Sequence, residues 1–207
     1  SSNGVMILFK AETALIAATD GTITSTGADR LSVVVSAASA SHINVSAGDG
    51  QSATVNTAVT TNPAAVATDD YGNPVSGVTI TFAVTGGGGV VAPLTVTTDA
   101  NGVATVTSWT LGASPGANSM TATLPGDGAP HATFGATATT GPASGLAIHA
   151  GGAQTAPVST SVGTPPSVIV TDGSGNPVAG VDITFTVASG GGRIARVPTI
   201  ESILEKP

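Results

Sequence analysis

The sequence predicts an all-β chain of tandem Greek-key β-sandwiches, one complete and partial repeats at both ends, and three observations carry that prediction. Only 8% of the residues are charged and 3% aromatic, within a composition that is 41% hydrophobic and rich in Gly, Ala, Thr, Ser and Val. Such a mix favours short strands joined by Gly, Pro, Asn and Asp turns over amphipathic helices. Residues 41–89 align without a gap on residues 144–192, at a constant offset of 103 and with roughly half the positions identical. Within these stretches apolar side chains alternate at period two, the pattern of strands with one buried face.

Composition also excludes partners. The chain of 207 residues is apolar enough to form packed cores. A net charge of -7 with five Lys+Arg leaves no basic stripe for phosphates, so nucleic acid and anionic membrane surfaces are not expected. The absence of cysteine removes disulfides, zinc–thiolate sites and thiol catalysis while leaving the compartment open. The apolar run Val5–Phe9 is broken by Lys10 and Glu12, far short of the ~20 residues a membrane span needs. No direct membrane insertion is expected. The opening Ser-Ser-Asn-Gly lacks the basic and apolar regions of a signal peptide.

Along the chain, residues 1–41 read as the C-terminal half of a repeat. Asn3-Gly4-Val5 echoes Asn101-Gly102-Val103, and Arg30–Ala40 leads into the next unit much as His131–Ala143 does. Strands are expected over Val5–Lys10, Thr13–Ala18, Thr22–Ser25 and Leu31–Ala37. The alternative is a short helix over Met6–Ala17, since Ala, Leu and Glu are good helix formers.

Residues 42–143 read as the complete unit. A strand at Ile43–Ala47 is followed by Thr-Asp-x-x-Gly-Asn-Pro-Val-x-Gly-Val-x-Ile-Thr-Phe-x-Val from Thr68 to Val84. Val66, Thr68, Val78, Ile80, Phe82 and Val84 recur at period two and are expected on one buried face. Between the strands, Asp69 and Asn73 can cap their own turn, Gly72 can take positive φ, and Pro74 sits where no ladder donor is needed. The run Gly86–Gly89 is expected to be a flexible inter-strand loop. Leu94–Asp99, Val103–Leu111, Asn118–Leu124 and His131–Thr139 complete about seven or eight strands in ~100 residues, the size of a Greek-key sandwich.

Residues 144–192 repeat the first half of that unit, with Asp172, Gly175, Asn176 and Pro177 at its turn and Gly190–Gly192 at its end. Residues 193–207 are a non-repeat tail that carries three of the five basic residues. Thr199 can cap a short helix over Ile200–Lys206, stopped by Pro207.

The motif series resembles a known family. Thr-Asp-x-x-Gly-Asn-Pro-Val, Thr-Phe-x-Val, a Gly run, Thr97-Thr98-Asp99-Ala100-Asn101-Gly102-Val103-Ala104, and Trp109-Thr-Leu-Gly before Asn118 are similar to the group 1 bacterial Ig-like domains, the repeats of the invasin and intimin type. The resemblance covers about 42–192 and implies immunoglobulin-like sandwiches in extracellular rods that carry a binding region away from the bacterial cell. Related repeats also decorate phage particles. A β-barrel translocator, a peptidoglycan-binding segment and a lectin-like tip are missing from the pattern in this stretch.

Catalytic chemistry finds little footing. Gly112-Ala113-Ser114-Pro115-Gly116 matches a nucleophile elbow, but that motif works where a strand turns into a helix, and here the flanks read as strands. The Gly runs lead into strands and not into the helix N-terminus a phosphate cradle requires. His42, His131 and His149 stand apart, without zinc spacing. No catalytic or cofactor-binding residue is expected. Calcium is the one ion the turns could ligate, through Asp69, Asp70, Asn73, Asp99, Asn101, Asp172 and Asn176, although these are also ordinary turn residues and no EF-hand spacing is present. Trp109 lies in an alternating strand and is expected in the core rather than as a sugar platform. Asn44-Val45-Ser46 is a formal glycosylation sequon.

The function expected is therefore a non-catalytic structural and display module of a bacterial cell-surface protein, whose partners are adjacent Ig-like repeats and a host or surface receptor. Two alternatives stand beside it: a self-assembling fibre or phage subunit in which half-domains of neighbouring chains complete each other, and a receptor- or glycan-binding module.

Overall fold

The computed structural model describes residues 5–194. Asn3 and Gly4 of the amino-terminal echo, and the helix expected over Ile200–Lys206, lie outside the described residues. Fourteen strands follow one another: β1 (Thr13–Ile16), β2 (Leu31–Val34), β3 (His42–Ala47), β4 (Gln51–Thr54), β5 (Ala64–Thr68), β6 (Thr79–Gly86), β7 (Val90–Ala92), β8 (Thr95–Thr97), β9 (Val103–Thr105), β10 (Ser108–Thr110), β11 (Gly116–Thr123), β12 (His131–Thr139), β13 (Ala143–Ala150) and β14 (Ser167–Asp172). Among the described residues the one helical element is a 3-10 turn at Gly27–Asp29, and no helix is long and apolar enough to cross a membrane.

Strands β3 to β12 form an immunoglobulin-like sandwich. One sheet runs β4-β12-β11-β6-β8 and the other β3-β5-β9, with β10 and β7 paired beside them. The ladders are antiparallel except for β4 with β12. Alternation does what the sequence pattern requires: Ile80 and Phe82 on β6, Met120 and Ala122 on β11, and Ala132, Phe134, Ala136 and Ala138 on β12 all point into one core. Trp109 is fully buried there, and the Phe82 and Phe134 rings meet at 6.4 Å between centroids with a tilt of 45°. Tilted pairs at this spacing are the favoured aromatic geometry.

Several local expectations are corrected. Val5–Lys10 forms no strand, Thr22–Ser25 contributes only a bridge from Thr24 to Thr19, and the helix expected over Met6–Ala17 is absent, replaced by β1 paired with β2. Helix propensity is a weak bias that an available ladder partner overrides. Val103–Leu111 is not one strand: β9 pairs with β5 and β10 with β7, so the segment crosses between layers. On β5 the inward residues are Ala65 and Ala67, while Val66 and Thr68 are only half-buried. A one-residue slip inverts every side chain of a strand, and here the small side chains share the cluster with Trp109 and Phe82.

The glycine run is not a slack loop. Gly87, Gly88 and Gly89 all have positive φ, between 75° and 88°. A Cβ on Gly87 would come within 2.6 Å of the Ala117 carbonyl oxygen, and one on Gly112 would strike the Gly87 carbonyl. Gly86–Gly89 is thus a tight turn packed against the β10–β11 connection, which only glycine permits.

The repeat seen in sequence returns as register. Gly145↔Thr171, Leu146↔Val170 and Ala150↔Ser167 on β13 and β14 reproduce His42↔Thr68, Ile43↔Ala67 and Ala47↔Ala64 on β3 and β5, including the bulge before the last pair. The counterpart of β6, residues 182–189, forms no ladder among the described residues, although its sequence repeats Ile-Thr-Phe-x-Val. In the sandwich β6 is held by β11 and β8.

Candidate functional site

Asp69 follows the last residue of β5, and its backbone closes the turn: its N–H donates to the Asn73 carbonyl at 3.0 Å, and its carbonyl accepts from Gly72, which has φ +81°. Its side chain does the capping expected of it, with Oδ1 accepting the N–H groups of Tyr71 and Asn73 at 2.9 Å each. Asn73 donates Nδ2 to Asp69 Oδ2 at 2.9 Å. Both side chains are buried, Asp69 to within 2% exposure.

What the sequence did not disclose is where the remaining valences go. Asp69 Oδ2 accepts the N–H of Ala38 at 3.0 Å, in the segment that enters the sandwich. Asn73 donates to the Phe9 carbonyl at 2.7 Å and accepts from the Ala11 N–H at 2.8 Å. The Phe9 and Tyr71 rings pack alongside at 4.9 Å. One turn therefore holds both the connecting segment and a loop of residues 5–41.

The second copy builds the same clamp. Asp172 Oδ1 accepts from Ser174 and Asn176 at 2.8 and 2.9 Å, and Oδ2 accepts from Gly141 at 2.9 Å. Asn176 donates to Asp172 Oδ2 at 3.0 Å and to the Ala113 carbonyl at 2.8 Å. Asn56 adds a bond to Ser174 Oγ at 2.8 Å. Ala38 and Gly141 each precede their aspartate by 31 residues. That equal interval was the available signal, but backbone partners this remote leave no local pattern.

Hydrogen bonding sets the charge state. Burial pushes the Asp69 carboxyl upward, but donation from the Asn73 amide and from the N–H groups of Ala38, Asn73 and Tyr71 outweighs it and brings the group down to about 2. At Asp172 the Asn176 amide leads, opposed by burial and joined by the N–H groups of Gly141, Asn176 and Ser174, with the same result of about 2. Both are anions at neutral pH, held by donors and not by cations. Asp99 is a smaller version: the Val103 and Asn101 N–H groups lower its carboxyl.

A second repeated device went unnoticed in the sequence. Gln51 donates to the carbonyls of Gly48 and Thr61 at 2.8 Å and accepts from Thr61 N–H at 2.7 Å. Gln154 makes the matching bonds to Gly151 and Thr164. Each Gln ties the two ends of the loop that follows the first strand of its copy.

The remaining sequence candidates are dispersed. Asp70 is exposed, 3.8 Å from His42 Nδ1, and Asn101 lies in the Asp99 turn. His131 and His149 are exposed on β12 and β13. Ser114 lies between β10 and β11, with strands on both sides. Among the described residues no three His, Cys, Asp or Glu side chains converge as a cation site. Asp69 with Asn73 and Asp172 with Asn176 are brought together, but their oxygens face N–H donors.

One open groove lies on the second copy, lined by His149, Val168, Val170, Val178, Val181 and Ile183 among others. At the matching positions of the sandwich, Ala65, Ala67 and Ile80 are fully buried.

No family model matches the chain, and no curated protein matches its sequence. Among solved structures, FdeC, an Escherichia coli adhesin, is similar at 23% identity over 74% of this chain and 48% of its own, with a TM-score of 0.45. Invasin, a bacterial integrin-binding protein, is similar at 23% identity over 67% and 28%, TM-score 0.38. The D00-D0 domain of intimin is similar at 20% identity over 48% and 46%, TM-score 0.37. The chain spans less than half the length of each of these three chains. The sandwich assignment rests on the strand order and core of residues 42–143.

Chemically, the clamps bind and orient backbone. Each aspartate is saturated by donors from its own turn and from the preceding segment, which fixes direction between successive units at the level of single N–H groups. A buried, fully satisfied polar network specifies one geometry more sharply than an apolar contact does.

Proposed function

We propose that this chain is a non-catalytic extracellular structural and display module of an adhesin-like bacterial surface protein, a rod segment that holds a binding region away from the cell. The observation that carries this reading is the recurrence of the Asp–Asn clamp at two successive positions, Asp69/Asn73 on Ala38 and Phe9–Ala11, and Asp172/Asn176 on Gly141 and Ala113. A spacer must resist bending at its junctions, and unrestrained interdomain contacts permit relative motion by default. A repeat array whose units are locked by the same bonds at each step transmits direction along its length. The partners in this reading are neighbouring Ig-like repeats, with a surface receptor engaged elsewhere in the parent protein.

The test is a distance measurement between spin labels on Cys introduced at the exposed positions Thr22 and Thr133; the native chain has no cysteine to interfere. A narrow distribution that broadens in Asn73→Ala is the expected result. A distribution already broad in the unsubstituted chain overturns the spacer reading.

A further inference from the structure

The two outer parts of the chain are complementary halves of one sandwich. On the amino-terminal side, β1 and β2 pair in the register of β11 and β12: Thr13↔Val34 stands where Ala117↔Thr137 stands, and Ile16↔Leu31 where Met120↔Phe134 stands. Met120 and Phe134 are fully buried, whereas Leu31 is 64% exposed and Leu15, Ile23 and Val34 lie open beside it. This hairpin presents a core face that nothing covers among the described residues. On the carboxy-terminal side, β13 and β14 keep the register of β3 and β5, and the groove along Val168, Val170, Val181 and Ile183 is the opposite core face, likewise open.

We infer that the hairpin of residues 13–34 in one copy of this chain closes the groove of residues 143–189 in a second copy, completing a sandwich between chains. The internal repeat names the occupant. In the sandwich, β6 takes β11 as its neighbour, with Met120↔Val84, Thr121↔Ala83 and Ala122↔Phe82 in register. Carried to the outer halves, Ile16 pairs with Val187, Ala17 with Thr186 and Ala18 with Phe185. Residues 182–189 then gain the ladder partner they lack, and Leu31 takes the place that Phe134 holds against Phe82, now facing Phe185. The mode is strand addition, in which main-chain bonds supply affinity and alternate side chains supply fit. Because closing a sandwich buries a whole core, it falls in the obligate class of interfaces, above about 2,000 Å². The hairpin and the groove sit on different parts of one chain, so the contact is heterologous and propagates head to tail. The inference is independent of the spacer reading, since the clamps could be rigid in a monomer and the halves could join flexible units.

The test uses the full chain. Light scattering is expected to give a mass that rises with concentration above the 19.7 kDa of one chain. Ala17→Cys and Thr186→Cys variants, mixed and oxidised, are expected to yield a covalent pair of the two, because directly opposed residues of an antiparallel ladder lie within disulfide reach. The double variant is expected to yield a ladder of multimers. Ile183→Asp lies outside the complete sandwich, so it should abolish both results while leaving the thermal transition of residues 42–143 in place. A single 19.7 kDa species at every concentration, or cross-linking that survives Ile183→Asp, overturns the proposal.

Discussion

Asn73 and Asp69 face each other across a five-residue turn, with the Asn73 amide 2.9 Å from Asp69 Oδ2 and 3.2 Å from Oδ1, so the pair forms a preset socket before either touches another segment. Asn176 and Asp172 repeat it at 3.0 and 3.2 Å. A residue that both braces its own turn and reaches a neighbour can be altered to separate the two roles.

Asn73→Ala removes the bonds to Phe9 and Ala11, each net bond being worth roughly 1 kcal/mol. Amide exchange at Ala11 and Ala38 should quicken about tenfold or more, because 1.4 kcal/mol is a factor of ten. Amides of β11 and β12 should keep their protection, since that core does not depend on the junction.

Acid should loosen the junctions before it unfolds the sandwich. The carboxyls of Asp69 and Asp172 stand at about 2 in the folded chain against 3.8 ordinarily. A lowered folded value means that the stabilisation is fully present above 3.8 and is lost as pH falls toward 2 and through it. The spin-label distribution between positions 22 and 133 should be unchanged from pH 7 to pH 5 and broaden below pH 3. Broadening already at pH 6 would assign the junction to other groups.

Gly112→Ala places a methyl group against the Gly87 carbonyl, backbone on backbone, with no flexible side chain to yield. A loss of more than about 2 kcal/mol in chemical unfolding of residues 42–143 is expected. Gly126→Ala makes a useful control for space: nothing lies within 4 Å of its added Cβ, so only the penalty of its positive φ remains.

Phe134→Ala should cost about 3–5 kcal/mol, the range for deleting a buried aromatic side chain. Leu31→Ala, at the matching register position but 64% exposed, should be near neutral in dilute solution and should weaken any concentration-dependent association. Equal losses at both positions under dilute conditions would mean that the hairpin core face is covered within a single chain.

The sequence by itself determined what is local or repeated. Period-two alternation placed Ile80, Phe82 and Trp109 in the core, the Asp-x-x-Gly-Asn-Pro spacing fixed the caps at Asp69 and Asp172, and the 103-residue offset anticipated the shared register of β3–β5 and β13–β14. Tertiary structure alone decided the rest. Thr79–Gly86 is a strand, while residues 182–189, nearly the same in sequence, have no ladder, because a strand exists only where another backbone accepts its hydrogen bonds. The inward face of β5 went to Ala65 and Ala67, and not to Val66, in a cluster shared with Trp109 and Phe82. The bonds from Asp69 to Ala38 and from Asn73 to Phe9 join residues 31 and 64 apart, a proximity created by folding and invisible to any local pattern.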